Sequence, residues 1–163
     1  MTRILLLSDT HGYLDPRVLN YAKDVDEVWH AGDIGNVGLL NPLEELAVLR
    51  AVYGNIDDSA TKSRFPEHQR FICEGVRVWI THIGGHPARY APGITKRFKE
   101  SPVDLFICGH SHILKAGYDK KNQLLHLNPG AAGNHGWHTV RTMMRFEVSQ
   151  GKVENLEVIE FGR

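Results

Sequence analysis

Five short groups of polar residues follow apolar segments of the chain, and each group contains side chains that can bind a metal ion. They read Asp9-Thr10-His11-Gly12, Gly32-Asp33, Gly54-Asn55-Ile56-Asp57, Thr81-His82 and Gly109-His110-Ser111-His112. The candidate ligands are carboxylates, imidazoles and one carboxamide, with no thiolate. This mixture of nitrogen and oxygen suits manganese, iron, zinc, nickel or cobalt better than calcium, which prefers oxygen alone.

The set of candidate ligands is larger than one ion needs. A structural zinc ion takes four ligands, whereas the groups supply Asp9, His11, Asp33, Asn55, His82, His110 and His112. Such a set fits two divalent ions held roughly 3.5–4 Å apart with a carboxylate bridging them, as in two-metal phosphatases and nucleases. The pair can lower the pKa of a bridging water toward about 7. The site would be cationic, which predicts an anionic phosphate ester as substrate. We expect Mn²⁺, with Ni²⁺, Fe, Zn²⁺ or Co²⁺ as alternatives.

The segments before these groups have the patterns of strands. Residues 4–7 form a continuous apolar run typical of a strand buried on both faces. Further strands are predicted at 28–30 and 48–52, with helices at 17–23 and from Pro42 between them. This alternation predicts a parallel α/β sheet in the first third of the chain. Because ligands bind at the carboxyl edge of such a sheet, the polar groups can converge there.

The second half of the chain has a different pattern. Residues 70–74 and 76–81 resemble a hairpin around Gly75, a helix is predicted at 93–100, and residues 103–108 form another apolar strand. Four later strands, at 114–118, 123–127, 140–148 and 152–161, are expected to be antiparallel. The sequence contains no repeat, low-complexity segment or linker, so we expect a single domain over residues 1–163.

Composition narrows the class of protein. The chain has 163 residues, 42% of them hydrophobic, which suits one domain with a substantial core. Nineteen basic and nineteen acidic residues give no net charge, which argues against a broad nucleic-acid surface. Cys73 and Cys108 lie in apolar runs and are expected to be buried, reduced thiols. The apolar stretch near the N-terminus is too short for a signal peptide or a membrane span, so we expect a cytoplasmic protein without membrane contact. Whether it forms a homo-oligomer is left open.

In this order the five groups resemble the calcineurin-like metallophosphoesterase superfamily, whose pattern is D-x-H, G-D, G-N-H-[DE], [GT]-H and G-H-x-H. The short length, Thr81-His82 and Asn128-Pro129-Gly130 are most similar to the small bacterial and archaeal phosphodiesterase branch. The resemblance implies an α/β fold, a sandwich of two mixed β-sheets flanked by helices. It also implies that one metal is held by Asp9, His11 and His112 and the other by Asn55, His82 and His110, with Asp33 bridging them.

One position departs from the superfamily pattern. Ile56 stands where many phosphatases have a histidine that is a candidate proton donor to the leaving group. Such a general acid contributes ~10²–10⁴-fold to the rate, so its absence favours leaving groups that depart without help. The small phosphodiesterase branch also lacks this histidine. Asp57 is interpreted as a carboxylate that supports the fold or orients a ligand, and a role in relaying a proton is the less favoured alternative.

The leading function is a phosphodiesterase that acts on a small-molecule phosphoester. In this hypothesis a metal-bridging hydroxide attacks phosphorus in line while Asn55 orients the phosphate. The first alternative is a phosphomonoesterase or nucleotide phosphatase, because the same dinuclear core serves both reactions. The second is a protein-binding scaffold of the kind found in vesicle coats. It is less favoured because all of the ligand positions are filled.

The remaining histidines are given ordinary interpretations. His30 is expected to pack at a strand end or to support a ligand, and His68 and His126 to be surface or sheet residues. The others either line the cleft or are simply exposed: His86, His135 and His138.

Overall fold

The computed structural model describes residues 1–162, which form four helices and twelve strands. The helices are α1 (Pro16–Ala22), α2 (Asn41–Glu44), α3 (Ser59–Arg64) and α4 (Ile94–Glu100). The strands are β1 (Thr2–Leu7), β2 (Glu27–His30), β3 (Val48–Ala51), β4 (His68–Cys73), β5 (Val76–Thr81), β6 (Gly85–His86), β7 (Arg89–Tyr90), β8 (Leu105–Ile107), β9 (Lys115–Asp119), β10 (Leu124–Asn128), β11 (Val140–Ser149) and β12 (Lys152–Gly162).

The first sheet has the strand order β12-β11-β1-β2-β3. Strands β1, β2 and β3 are parallel, which confirms the parallel sheet predicted for the first third of the chain. Strand β11 pairs antiparallel with β1, and β12 pairs antiparallel with β11. The carboxyl ends of the three parallel strands therefore share one edge, where the first three polar groups begin.

The second sheet has the order β4-β5-β8-β10-β9. The predicted hairpin is present as β4 and β5, and the expected antiparallel pairing of the later strands is confirmed for β9 with β10 and for β11 with β12. The expectation is wrong for the other side of β10, which pairs in parallel with β8. An apolar run shows that a strand is buried but does not give the direction of its neighbour.

The core explains why β1 is apolar without interruption. Ile4 and Leu6 pack between the sheets, where they meet Ile80 of the second sheet. Leu5 and Leu7 point to the opposite face and pack with residues of α1 and α2, including Val18 and Leu43. Both faces of the strand are covered, as the sequence predicted. The architecture is the expected α/β sandwich of two mixed sheets flanked by helices.

Several elements differ from the sequence prediction. Helix α3 was not predicted, although Asp58 caps it by accepting a 2.9 Å hydrogen bond from the Thr61 amide. The short hairpin of β6 and β7 was also missed, and the helix at Pro42 is a single turn. Cys73 and Cys108 are free and buried, as expected. Among residues 1–162, none of the helices has the length and apolar character needed to cross a membrane.

Candidate metal centre

The five polar groups meet in one place, at the carboxyl edges of the strands that precede them. Their ligand-type side chains form two clusters, and the ligand atoms of each cluster lie within 4.8 Å of one another. The clusters are Asp9 with His11 and His112, and Asp33 with His82 and His110. Asn55 extends the second cluster, because its Oδ1 lies 3.0 Å from Nδ1 of His110. All seven candidate ligands predicted from the sequence are therefore brought together.

The two carboxylates link the clusters. Oδ2 of Asp33 lies 3.2 Å from Nε2 of His82, in its own cluster, and 3.4 Å from Nε2 of His11, in the other. Oδ1 of Asp9 lies 3.3 Å from Nε2 of His112 and 3.8 Å from Nε2 of His82. A carboxylate in the position of Asp33 can bind two neighbouring cations at once.

The backbone at this edge of the sheets is strained. Asp9, His11, Asp33, His110 and His112 have φ angles of 55°, 47°, 56°, 72° and 62°. Residues other than glycine rarely adopt this left-handed backbone conformation, and each instance costs about 1–3 kcal/mol. Nine residues other than glycine between positions 1 and 162 have positive φ, and five of them are candidate ligands. The fold thus accepts strain where these side chains must converge.

Three polar atoms of the two clusters are buried without a hydrogen bond in the described part of the chain: Asp9 Oδ1, His11 Nε2 and His82 Nε2. Buried polar atoms are almost always paired. Nδ1 of His82 lies 2.7 Å from the carbonyl of Ala31 and donates to it, so Nε2 faces the carboxylates. Buried oxygen and nitrogen atoms that make no hydrogen bond and lie around one point fit the coordination of metal ions.

The charges of the site favour cations. Burial alone would raise the pKa of Asp9, but His11 and His112 outweigh it and lower that pKa well below its usual range. Asp33 is affected in the same way by burial and by His11 and His82. In return, Asp33 and then Asp9 raise the pKa of His11 to about 9. Two ionised carboxylates thus lie in a region of restricted water access.

Two glycines allow the loops to approach this closely. A Cβ atom on Gly54 would lie 2.1 Å from Oδ1 of Asp33. A Cβ on Gly109 would lie 2.2 Å from Oγ of Ser8 and 2.8 Å from Oδ2 of Asp9. All three distances are shorter than the contacts that real Cβ atoms make, so glycine is required beside the carboxylates.

His30 supports the loops that carry the candidate ligands, as the sequence suggested. The ring is fully buried, and its Nδ1 accepts a 3.1 Å hydrogen bond from the Gly32 amide. Nε2 therefore carries the hydrogen and donates to Oγ1 of Thr10 at 3.1 Å, while Thr10 donates to the carbonyl of Ile34 at 2.8 Å. Burial lowers the pKa of His30 to about 4, so the ring is neutral. This chain of hydrogen bonds ties the loop after β1 to the loop after β2.

Asp57 connects the loop after β2 to one further loop. Its carboxylate accepts hydrogen bonds from the amides of Ile34, Gly35 and Gly54, at 3.1, 2.8 and 2.8 Å. It therefore fixes the loop after β2 against the loop after β3, which agrees with the interpretation of Asp57 as a supporting carboxylate.

Asn128 plays the same part for the loop after β8, a role that the sequence did not assign. Its Nδ2 donates to the carbonyl of Gly109 and to Oγ of Ser111, both at 3.1 Å. The signal in the sequence is the Asn-Pro-Gly triplet at the end of a strand.

Other histidines lie closer to the site than the sequence could show. His135 stacks on His11 with ring centroids 4.8 Å apart, and His138 meets the ring of His112 edge-on at 5.4 Å. His68 lies in β4, as expected of a sheet residue. His126 lies in β10, also as expected of a sheet residue, and it is fully buried.

Two clefts open from the candidate metal centre. One has a volume of ≈ 340 Å³ and is lined by Asn55, His82 and Arg97 among others. The other has a volume of ≈ 360 Å³ and includes His110 in its wall. Ile83 and Pro92 line both clefts and separate them.

Comparison with known proteins agrees with this geometry. The family model of the calcineurin-like phosphoesterase superfamily domain matches residues 2–151. A probable metallophosphoesterase from Mycoplasma pneumoniae is 31% identical over 165 residues, with 96% of each chain covered. Vps29 from Chaetomium thermophilum has a similar structure, with a TM-score of 0.75, 15% identity and 100% of both chains covered. The structure of an archaeal phosphodiesterase aligns with a TM-score of 0.74 and 22% identity over 96% of this chain and 99% of its own. The chain therefore belongs to the calcineurin-like phosphoesterase superfamily.

Proposed function

We propose that this protein is a phosphodiesterase that depends on two divalent cations, with Mn²⁺ as the expected metal and residues 1–163 as one catalytic domain. Asp9, His11 and His112 would hold one ion, and Asn55, His82 and His110 the other, with Asp33 bridging them. The observation that carries the proposal is the position of the Asp33 carboxylate, within 3.4 Å of an imidazole from each cluster. The buried atoms of Asp9, His11 and His82 that make no hydrogen bond support it.

The chemistry divides between the cations and the protein. When bound, the cations would supply hydroxide at neutral pH and neutralise charge on the phosphoryl oxygens. The chain holds the ligands in place through His30, Asp57 and Asn128, which connect the loops. The exposed amide of Asn55 lies at the mouth of a cleft, where its Nδ2 can donate to a phosphoryl oxygen and orient the ester.

Two features favour a diester over a monoester. A diester carries two organic substituents, and the site opens into two separate clefts of similar volume. Ile56, with 46% of its surface exposed at the edge of the site, cannot donate a proton to a leaving group. We therefore expect the best substrates to be diesters whose leaving group departs as a stable anion.

The test compares bis(4-nitrophenyl) phosphate with 4-nitrophenyl phosphate, using protein loaded with Mn²⁺. We expect faster hydrolysis of the diester, and a loss of roughly 100-fold or more in kcat/KM for Asp33→Asn, because a metal-bridging charge is removed. Asp104→Asn is the matched control, since that half-exposed carboxylate pairs with Arg77 outside the centre. Its activity should match that of the wild type.

Other outcomes would identify other functions. Faster hydrolysis of the monoester would indicate a phosphomonoesterase. Protein that purifies without stoichiometric metal and cleaves neither ester would indicate a binding role. Identical turnover by wild type and Asp33→Asn would overturn the proposed centre.

A further inference from the structure

The cleft beside His110 has features that the proposed reaction does not explain. It lies between the hairpin of β6 and β7, the loop after β8, and β10, and it shares His110 with the candidate metal centre. A phosphate ester held at the centre would therefore have one substituent at the entrance of this cleft. Much of its wall is apolar, formed by Ile83, Ala91, Pro92 and Ile113.

His126 is the most unusual residue of the cleft. The side chain is fully buried in β10, and within residues 1–162 neither ring nitrogen makes a hydrogen bond. Burial lowers the pKa of His126 to about 4, and the backbone of Phe106 opposes this shift only weakly. The Phe106 carbonyl does not have the geometry of a hydrogen bond with the ring. A neutral imidazole offers one donor and one acceptor. Leaving both unpaired inside a protein costs free energy unless a ligand uses them.

A second imidazole in the same cleft has the same property. Nδ1 of His86 is buried without a hydrogen-bond partner in the part of the chain that the structure describes. His86 and His126 both line the cleft. Two rings with unpaired nitrogens thus belong to one cavity, and each can exchange hydrogen bonds with the edge of a bound group.

The remaining wall defines the shape and charge of that group. The hydroxyl of Tyr90 is already engaged, because it donates to Oδ2 of Asp119 at 2.6 Å, so its ring serves as a flat apolar surface. Arg89 and Lys115 line the opening, and none of the described lining residues is acidic. Flat apolar walls, unpaired imidazole nitrogens and a basic rim suit a planar ring with polar edges that is attached to an anion.

We propose that this cleft is the subsite for one ester substituent and that it binds a heteroaromatic ring of the nucleobase type, whose polar edge pairs with His126 and His86. The inference rests on the proposed function, since the phosphate of the same ester would be held at the metal centre. It adds a substrate class, nucleoside phosphodiesters, and two residues that determine specificity.

The experiment uses product-like probes that differ only in the substituent. Thymidine 5′-phosphate and methyl phosphate are compared as competitive inhibitors of bis(4-nitrophenyl) phosphate hydrolysis by the Mn²⁺-loaded protein. We expect thymidine 5′-phosphate to bind about tenfold or more tightly, because it satisfies groups that methyl phosphate leaves unpaired. In His126→Phe and in His86→Phe the ratio of inhibition constants should fall to within about threefold of unity. Lys121→Ala, in the turn after β9, is the control and should retain the wild-type ratio.

A second readout does not depend on turnover. The imidazole ¹⁵N resonances of His126, assigned by their loss in His126→Phe, should shift when thymidine 5′-phosphate is added to Zn²⁺-loaded protein and should not shift with methyl phosphate. Equal inhibition by the two probes in the wild type, or ring resonances that do not respond, would overturn the subsite. If the diester is hydrolysed and the probes are equivalent, only the subsite fails. If no ester is hydrolysed, the proposed function fails, and the resonances still decide whether the cleft binds the ring.

Discussion

The imidazole of His30 and the hydroxyl of Thr10 lie 3.1 Å apart, both fully buried, directly beneath the candidate metal centre. Thr10 stands in the chain between Asp9 and His11, which both belong to the first cluster. The hydrogen bond therefore fixes the backbone that presents two candidate ligands with left-handed φ angles. The hydrogen bond between His30 and Thr10 thus supports the fold and also positions the two candidate ligands.

Thr10→Val tests this connection, because valine keeps the shape of threonine and removes its hydroxyl. The buried Nε2–H of His30 would lose its acceptor, so we expect a loss of about 1–3 kcal/mol in the free energy of unfolding. We also expect a loss of about 10–100-fold in metal affinity, as for other groups that orient ligands. Urea denaturation and calorimetric titration with Mn²⁺ measure the two effects.

Thr2→Val is the control for that variant, since the Thr2 hydroxyl donates to Glu74 at the surface. Its stability should change by less than about 0.5 kcal/mol. If Thr10→Val bound Mn²⁺ as tightly as the control, His30 and Thr10 would have no role in positioning the ligands.

Gly54→Ala tests the close approach of two loops. The new methyl group would overlap Oδ1 of Asp33, so the carboxylate must move and metal affinity should fall by at least about tenfold. Gly117→Ala is matched in chemistry, but its methyl group would meet no atom within 4 Å. Equilibrium dialysis with Mn²⁺ should separate the two variants. Equal affinities would show that the Asp33 carboxylate does not need its observed position.

Ile56→His tests the missing proton donor. An imidazole at this exposed edge could protonate a basic leaving group, so we expect a gain of roughly tenfold or more in kcat for diphenyl phosphate. Bis(4-nitrophenyl) phosphate should gain little, because nitrophenolate departs without help. Ile72→His, on the exposed face of β4, is the control and should gain on neither ester. Equal gains on both esters would contradict a role in protonating the leaving group.

His126 should make stability depend on pH. Its pKa is about 4 in the folded protein, compared with an ordinary value of 6.5. When the pH falls from 7 to 5, the proton therefore binds only to the unfolded chain, and the folded state loses up to about 2 kcal/mol. Well above pH 6.5 neither state binds this proton, so the loss is absent.

The free energy of unfolding, measured with urea at pH 7 and at pH 5, checks this prediction. The decrease should be smaller in His126→Phe than in the wild type, because phenylalanine cannot take up the proton. The comparison isolates His126 from His30, which shifts in the same direction. Equal decreases in the two proteins would show that His126 is not kept neutral by burial.

The sequence indicated the parts of the fold that depend on local patterns. The apolar run of β1 and the turn residues after it were sufficient to predict both the strand and the polar group at its end. The parallel pairing of β10 with β8 was not predictable, because direction is set by the tertiary path of the chain. Helix α3 contains Ser59, Thr61 and Ser63, which have weak intrinsic helix propensity, so only its Asp58 cap signalled it.

The candidate site was predictable for a different reason. Its ligand-type residues repeat one arrangement, a polar group after each strand, so that five weak signals support one another. His126 carries no such signal, since a single histidine within a strand looks like an ordinary sheet residue. Its importance comes from burial and from the absence of hydrogen-bond partners in residues 1–162, which only the packed structure reveals.

The position of β1 has a consequence for how the protein matures on the ribosome. This strand lies between β2 and β11, and the backbone of Asp9 is also held by the amide of Gly133 at 3.1 Å. During synthesis, β11 is made more than a hundred residues after β1, so one edge of the apolar β1 stays uncovered until then. The nascent chain is exposed to aggregation throughout that interval. The first cluster reaches its final geometry late in synthesis, so metal loading is expected to follow translation.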